Sequence, residues 1–345
     1  MLTERQRQIL DLIVSLYSKE KTPVGSKALL DEINASSATI RNDMKVLENE
    51  GFIKKEHSSS GRIPELSGYE FFVDHLLDLE QSDEHQRFQV VKAFDGEFYR
   101  LSDIFDKASK VLSNLTGLTS FVLNVPQSGQ TLKSFDMLMI DAHSVLAVMM
   151  LDTGEIRSNQ VILPKSMTEK DLQTFVEIVR DKMVEKKLLE IHYILRTEIP
   201  QIIQHYFKIT HEVLQLFETI FDELFVEKLT SNGRQQIYDY SPENSHELYK
   251  LFSDDARMLQ ELRALTADDE LRKVKFNASP HLQNLTVISQ KFVIPYRGLG
   301  TLAVIGPIEM NYPEILAVVD LVGKVLSMKL TDFYRYLDGN HYEIT

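Results

Sequence analysis

The residues with the clearest capacity for chemistry lie between Ser36 and Gly51. Ile40, Met44 and Leu47 recur at helical spacing and commit one face of a helix to a core. At about 100° per residue, the opposite arc carries Ala38, Arg41, Asn42, Lys45 and Asn49. These side chains suit the floor of a DNA major groove. Arg41 and Lys45 can donate to guanine O6 and N7, Asn42 can pair with adenine N6 and N7, and Ala38 can meet a thymine methyl. Ser37 and Thr39, with the amides of the first turn, can hold a phosphate. Asp43 falls to one side of this arc, where a local ion pair is its expected role.

Elements on both sides must position that helix. Thr3-Glu4-Arg5-Gln6 has the form of a capping box, and Ile9, Leu12, Ile13 and Leu16 follow at helical spacing. The pattern predicts a first helix of about 17 residues ending before Pro23. A second begins near Ser26 and buries Leu29, Leu30 and Ile33, with Asn34-Ala35 as a tight connection. The third starts at Ser36 or Ser37 and stops at Gly51. After it, Phe52 to His57 reads as a strand, Ser58-Ser59-Ser60-Gly61 as a turn, and Arg62-Ile63-Pro64 as the returning strand. This is a winged helix-turn-helix, and double-stranded DNA is its expected partner. Lys54 and Lys55 face the sugar-phosphate chain, Ser60 and Gly61 give a small tip, and Arg62 is set to enter a minor groove or clamp a phosphate. The competing reading is a winged module that contacts only protein.

Charge is divided unevenly. The first 66 residues hold ten basic and ten acidic side chains, so the whole net charge of −13 lies beyond them. An acidic body repels a polyanion, which leaves the amino-terminal module as the part fit to touch DNA. With no cysteine, disulfides, thiolate metal sites and thiol catalysis are excluded. No apolar run reaches the roughly 18 residues of a membrane span, and the polar start lacks a signal-peptide core, so a soluble cytoplasmic protein is expected. The histidines are scattered without metal-ligand spacing, so neither metal nor cofactor is expected. Gly298-Leu299-Gly300-Thr301-Leu302-Ala303 matches a dinucleotide string, but Thr301 to Ile305 reads as a strand. A hairpin turn from Arg297 to Gly300 is the better assignment. Asp181 to Lys187 alternates charge as a solvated helix face does. No nucleophile–base pair stands out, so an enzyme is not expected.

The remainder alternates between strands and helices. Val91, Phe94, Phe98, Leu101, Phe105, Ala108, Leu112 and Leu115 predict one long helix, either a dimeric coiled coil or, the better assignment for so broad a stripe, a connector packed on its own subunit. Strands are expected at Thr119 to Val125, Asp136 to Asp141, Val145 to Leu151 and Gln160 to Leu163, with Asp152-Thr153-Gly154 as a hairpin turn. Helical faces follow at Leu172, Phe175, Val179 and Met183, and at Val213, Phe217, Ile220, Leu224 and Phe225. Two strands, Val287 to Tyr296 and Thr301 to Ile305, precede a long helix opened by Pro313. The pattern is that of an α+β body with a helical insertion.

Three segments carry a family resemblance: Pro23 to Ser26, Ser37 to Met44, and His57 to Pro64. In composition, order and spacing they resemble the bacterial heat-inducible transcription repressor family HrcA. The resemblance implies a winged helix-turn-helix at 1–80, a GAF-like domain at 81–165 and 275–345, and an inserted helical dimerisation domain at 166–274. It also implies a homodimeric repressor of class I heat-shock chaperone operons that binds the CIRCE inverted repeat, is supported by the chaperonin GroEL, and releases DNA on heat stress. The chain departs from the family pattern at Glu309, where an Arg is usual, and at Phe276 to Ser279. The alternative is a metabolite-sensing GAF-type transcription regulator with a different operator.

Overall fold

The computed structural model describes residues 2–56, 61–77, 84–98, 100–124, 130–222, 224, 229–240, 245–268, 270–295 and 298–339. Thr3 caps α1 (Glu4–Glu20) as the sequence requires: Thr3 Oγ1 accepts from the Gln6 amide at 3.3 Å, and Gln6 Oε1 accepts from the Thr3 amide at 2.9 Å. The expected second helix is instead a run of turns over residues 26–32. The amides of Ala28 and Leu30 bond three residues back, to Gly25 and Lys27. This tighter winding rotates Leu30 off the buried Leu29–Ile33 face and leaves it 40 % exposed. Next come α2 (Ser37–Asn49), the antiparallel pair β1 (Ile53–Lys55) and β2 (Arg62–Pro64), and α3 (Leu66–Phe71), which winds into a π turn at Phe72–Leu76.

The long helix expected to end near Leu115 is broken into α4 (Glu84–Ala93) and α5 (Leu101–Thr116). The break falls at Phe94 to Gly96, where Gly96 takes φ 154°. In α4 the buried residue is Val90 and not Val91, so the apolar repeat read across the break is two separate stripes. Phe94, Leu101, Phe105, Ala108 and Leu112 do pack on their own subunit.

Beyond α5 come β3 (Thr119–Leu123), a meander of β4 (Leu132–Met139), β5 (Ser144–Leu151) and β6 (Ile156–Ile162), and helices α6 (Glu169–Met183), α7 (Leu188–Thr197), α8 (Ile199–Tyr206) and α9 (Thr210–Asp222). The chain then runs through β7 (Thr230–Asn232), α10 (Ile237–Tyr240), α11 (Ser245–Phe252), α12 (Asp255–Leu265), β8 (Arg272–Phe276), β9 (Leu285–Ile294), β10 (Gly298–Pro307) and α13 (Tyr312–Gly339). Five strands form one antiparallel sheet in the order β7-β3-β10-β9-β8. Strand alternation sends Val122, Ile288, Phe292, Leu302 and Val304 towards α5 and α13. It sends Phe121, Leu123, Val287, Ala303 and Ile305 towards α11 and α12. A sheet covered on both faces in this way is the GAF-like α+β body.

The meander belongs to a different core. Phe135, Val145, Ala147, Met149 and Val161 pack against Phe175, Val179, Met183, Phe217, Ile220 and Leu224. The buried side chains therefore divide near residues 130 and 224, whereas the sequence reading drew its lines at 166 and 274. Helices α11 and α12, read as part of the insertion, lie under the main sheet. Gly298 and Gly300, read as turn, are inside β10; a Cβ at Gly300 would meet Phe292 Cζ at 2.4 Å, so close strand packing accounts for that glycine. Arg297 and Phe225 lie outside the described residues.

The head joins the body through one continuous core. The Tyr69 ring lies 6.1 Å from that of Tyr312, the Phe276 ring lies 5.7 Å from the same tyrosine, and Lys21 Nζ donates to the carbonyl of Glu309. Glu309, and Phe276 at the start of the other segment that departs from the family pattern, thus sit at the head–body joint. Burial raises the Tyr69 and Tyr312 hydroxyls above the ordinary phenol range and keeps both neutral there.

Candidate nucleic-acid interface

Helix α2 begins where Ser36 Oγ accepts from the Thr39 amide at 3.2 Å, so Ser36, not Ser37, is the cap. Ile40, Met44 and Leu47 are buried, and Ala38, Arg41, Asn42, Lys45 and Asn49 are all exposed on the opposite arc. Among the described residues, neither Arg41 nor Lys45 has a carboxylate partner. Arg41 Nε donates to Ser26 Oγ at 3.2 Å, and Ser26 Oγ lies 3.0 Å from Ser37 Oγ. Ser26 thus tethers the arginine and the start of the helix, a part that spacing within the helix could not show. The Thr39 amide is already taken by the cap, and its hydroxyl lies 2.9 Å from Ser36 Oγ. Asp43 is buried and accepts from Arg5 Nε at 2.6 Å and Gln6 Nε2 at 3.2 Å. It locks α2 onto α1, which is the local ion-pair role expected of it.

The wing differs from its sequence reading in that its cations are paired with carboxylates. Lys54 Nζ lies 3.1 Å from Glu65, Lys55 Nζ 3.7 Å from Glu48, and Arg62 grips Glu48 through Nε at 3.0 Å and a terminal nitrogen at 2.8 Å. The Arg62 side chain is only 14 % exposed, so in the free protein it points inward to α2 and not out to a groove. Gly61 has a structural duty as well: a Cβ there would meet the Val24 carbonyl carbon at 2.5 Å, where Val24 and Arg62 form an isolated antiparallel bridge. Ser60 lies outside the described residues. Replacing Glu48 with Gln removes the charge that restrains both Arg62 and Lys55. Affinity for specific and random duplexes is expected to rise together by about fivefold, or about 1 kcal/mol, with a steeper salt dependence. Salt titrations of both duplexes check this, and unchanged slopes would contradict it.

A winged helix-turn-helix with an exposed polar recognition arc, carried on an α+β body, defines a DNA-binding transcription regulator. A family model described as the winged helix-turn-helix DNA-binding domain of the transcription repressor HrcA matches residues 1–74, and the model of the HrcA protein C-terminal domain matches residues 102–316. Heat-inducible transcription repressors HrcA from Lactococcus lactis subsp. lactis and subsp. cremoris are each 65 % identical over 346 residues, covering 100 % of both chains. The chain belongs to the HrcA family of heat-inducible transcription repressors. A crystal structure of a hypothetical protein, 19 % identical, superimposes with a TM-score of 0.65 over 96 % of this chain and 99 % of its own, and shares the fold. Among the described residues, no helix is long and apolar enough to cross a membrane.

Proposed function

We propose that the chain is a cytoplasmic homodimer that represses class I heat-shock chaperone operons by binding the CIRCE inverted repeat, and acts by binding alone, without catalysis. The exposed arc of Ala38, Arg41, Asn42, Lys45 and Asn49 carries this reading, because its residue types match base edges while the helix's other face is buried. Lys54, Lys55 and Arg62, together with Ser60 and Gly61, contact the backbone once duplex phosphates compete with Glu48 and Glu65 for the three cations. An inverted repeat calls for a two-fold protein, so each head reads an equal half-site. The outer face of the β4–β6 meander supports pairing through the insertion. Leu138, Leu146, Val148, Met150, Ile156 and Ile162 share that face, and Ile162 is 79 % exposed. GroEL sustains the active form, and heat ends repression.

The test is fluorescence anisotropy of the full chain on CIRCE and on a scrambled duplex, with and without GroEL, at two salt concentrations. Preference for the repeat, improved by GroEL and weakened by salt, is the expected result; no preference by folded protein under any condition would overturn the proposal. Arg41→Ala is expected to cost about 1–3 kcal/mol on the repeat and little on random duplex, whereas Lys54→Ala and Lys55→Ala weaken both alike. Equal losses for Arg41→Ala on the two duplexes would show that α2 does not read bases in this register.

A further inference from the structure

A cavity of about 500 Å³ opens where the body meets the insertion, a size typical of small-molecule sites. Its walls come from the start of α5, the ends of β3 and β7, helix α12, and the β5–β6 turn of the insertion. That turn is held against the body from behind, since Tyr334 on α13 donates to the Thr153 carbonyl at 2.8 Å. The cavity is therefore a joint between two separately packed cores.

Beside two carboxylates, Asp106 and Glu155, its lining brings together three chemistries. Leu101, Phe105, Leu123 and Leu259 give an apolar wall. Arg157 adds a guanidinium that is only 5 % exposed, with one terminal nitrogen 2.8 Å from Glu155 among its contacts; the half-buried Arg263 lines the same space. Gln130 is 3 % exposed, and its side-chain oxygen has no hydrogen-bond partner among the described residues. A buried amide oxygen left in that state calls for a donor. Guanidinium groups in a partly apolar enclosure favour a planar oxyanion over water.

We propose that this cavity binds a small amphipathic carboxylate bearing a hydroxyl group. The carboxylate meets Arg157 and Arg263, the carbon body lies on the leucine and phenylalanine wall, and the hydroxyl donates to Gln130 Oε1. Bound there, the molecule ties the β5–β6 turn to α5 and α12 and fixes the insertion against the body.

Calorimetric titration of the full chain with 4-hydroxyphenylacetate tests this without DNA, so its failure would leave the operator reading untouched. Saturable binding is expected. Phenylacetate, which lacks the hydroxyl, and 4-hydroxyphenylethanol, which lacks the carboxylate, should each bind at least tenfold more weakly. Gln130→Leu should erase the preference for the hydroxylated acid, and Arg157→Gln should abolish binding of both acids. Because a change at buried Arg157 can impair folding, Ser102→Phe serves as a second variant: it fills the mouth from an exposed position on α5 and should exclude the probe with no change in unfolding temperature. Absence of saturable binding to the unmodified chain would overturn the proposal. So would binding that survives Ser102→Phe, or a preference for the hydroxylated acid that survives Gln130→Leu.

Discussion

Leu146→Arg is expected to leave a folded monomer whose affinity for the inverted repeat is at least about 100-fold lower than that of the unmodified chain. Leu146 lies on the central strand of the meander, with its side chain on the outer face beside Leu138 and opposite Gln160. The inner face packs against α6 and α9 and is untouched by the change, so folding should survive. A charge in the middle of an apolar contact would have to be buried without a partner, which two-fold pairing imposes twice. If the proposed dimer pairs through this face, losing it removes the second head from the operator, and its contribution as an effective local concentration goes with it. Sedimentation equilibrium and operator titration read the two effects separately. Glu177→Arg, an equal insertion of charge on the exposed side of α6, should alter neither. A Leu146→Arg chain that stays dimeric would place the pairing surface elsewhere.

The parts of this protein legible in sequence were those governed by local rules. The Thr3–Gln6 box, the Ile40–Met44–Leu47 stripe and the side position of Asp43 depend on spacing within one helix or one turn, and each formed as read. The long apolar stripe from Val91 misled because a repeat of threes and fours can be carried across a break, and only the conformation of Gly96 reveals one. The wing was legible as a shape, but the pairing of its cations was not. Lys55, Arg62 and Glu48 meet because a helix and two strands fold together, and no window of sequence aligns them. The same holds for the meander: alternation identified its strands, but the helices that cover them decide which core they join. Arg41 was read correctly as exposed, while its tether Ser26 comes from the turn before the helix.

Phe217→Ala should lower the temperature at which the repressor leaves its operator by more than about 10 °C. The ring is fully buried, 4.1 Å from that of Phe175 and 6.1 Å from that of Phe221, so truncation opens a cavity in the middle of an aromatic cluster. Such losses cost about 3–5 kcal/mol, and in a unit the size of the insertion each kcal/mol shifts the midpoint by about 4–8 °C. The cluster around Phe217 is separate from the core that joins the head to the sheet. Destabilisation should therefore fall on the insertion first and spare the recognition helix. If pairing runs through the insertion, its melting separates the heads while each stays folded, and loss of repression on heating follows from loss of bivalency. Scanning calorimetry of Phe217→Ala should show one early transition and one unchanged, with operator release tracking the early one. Release that tracks the later transition would instead locate the thermal weak point in the head or its joint with the body.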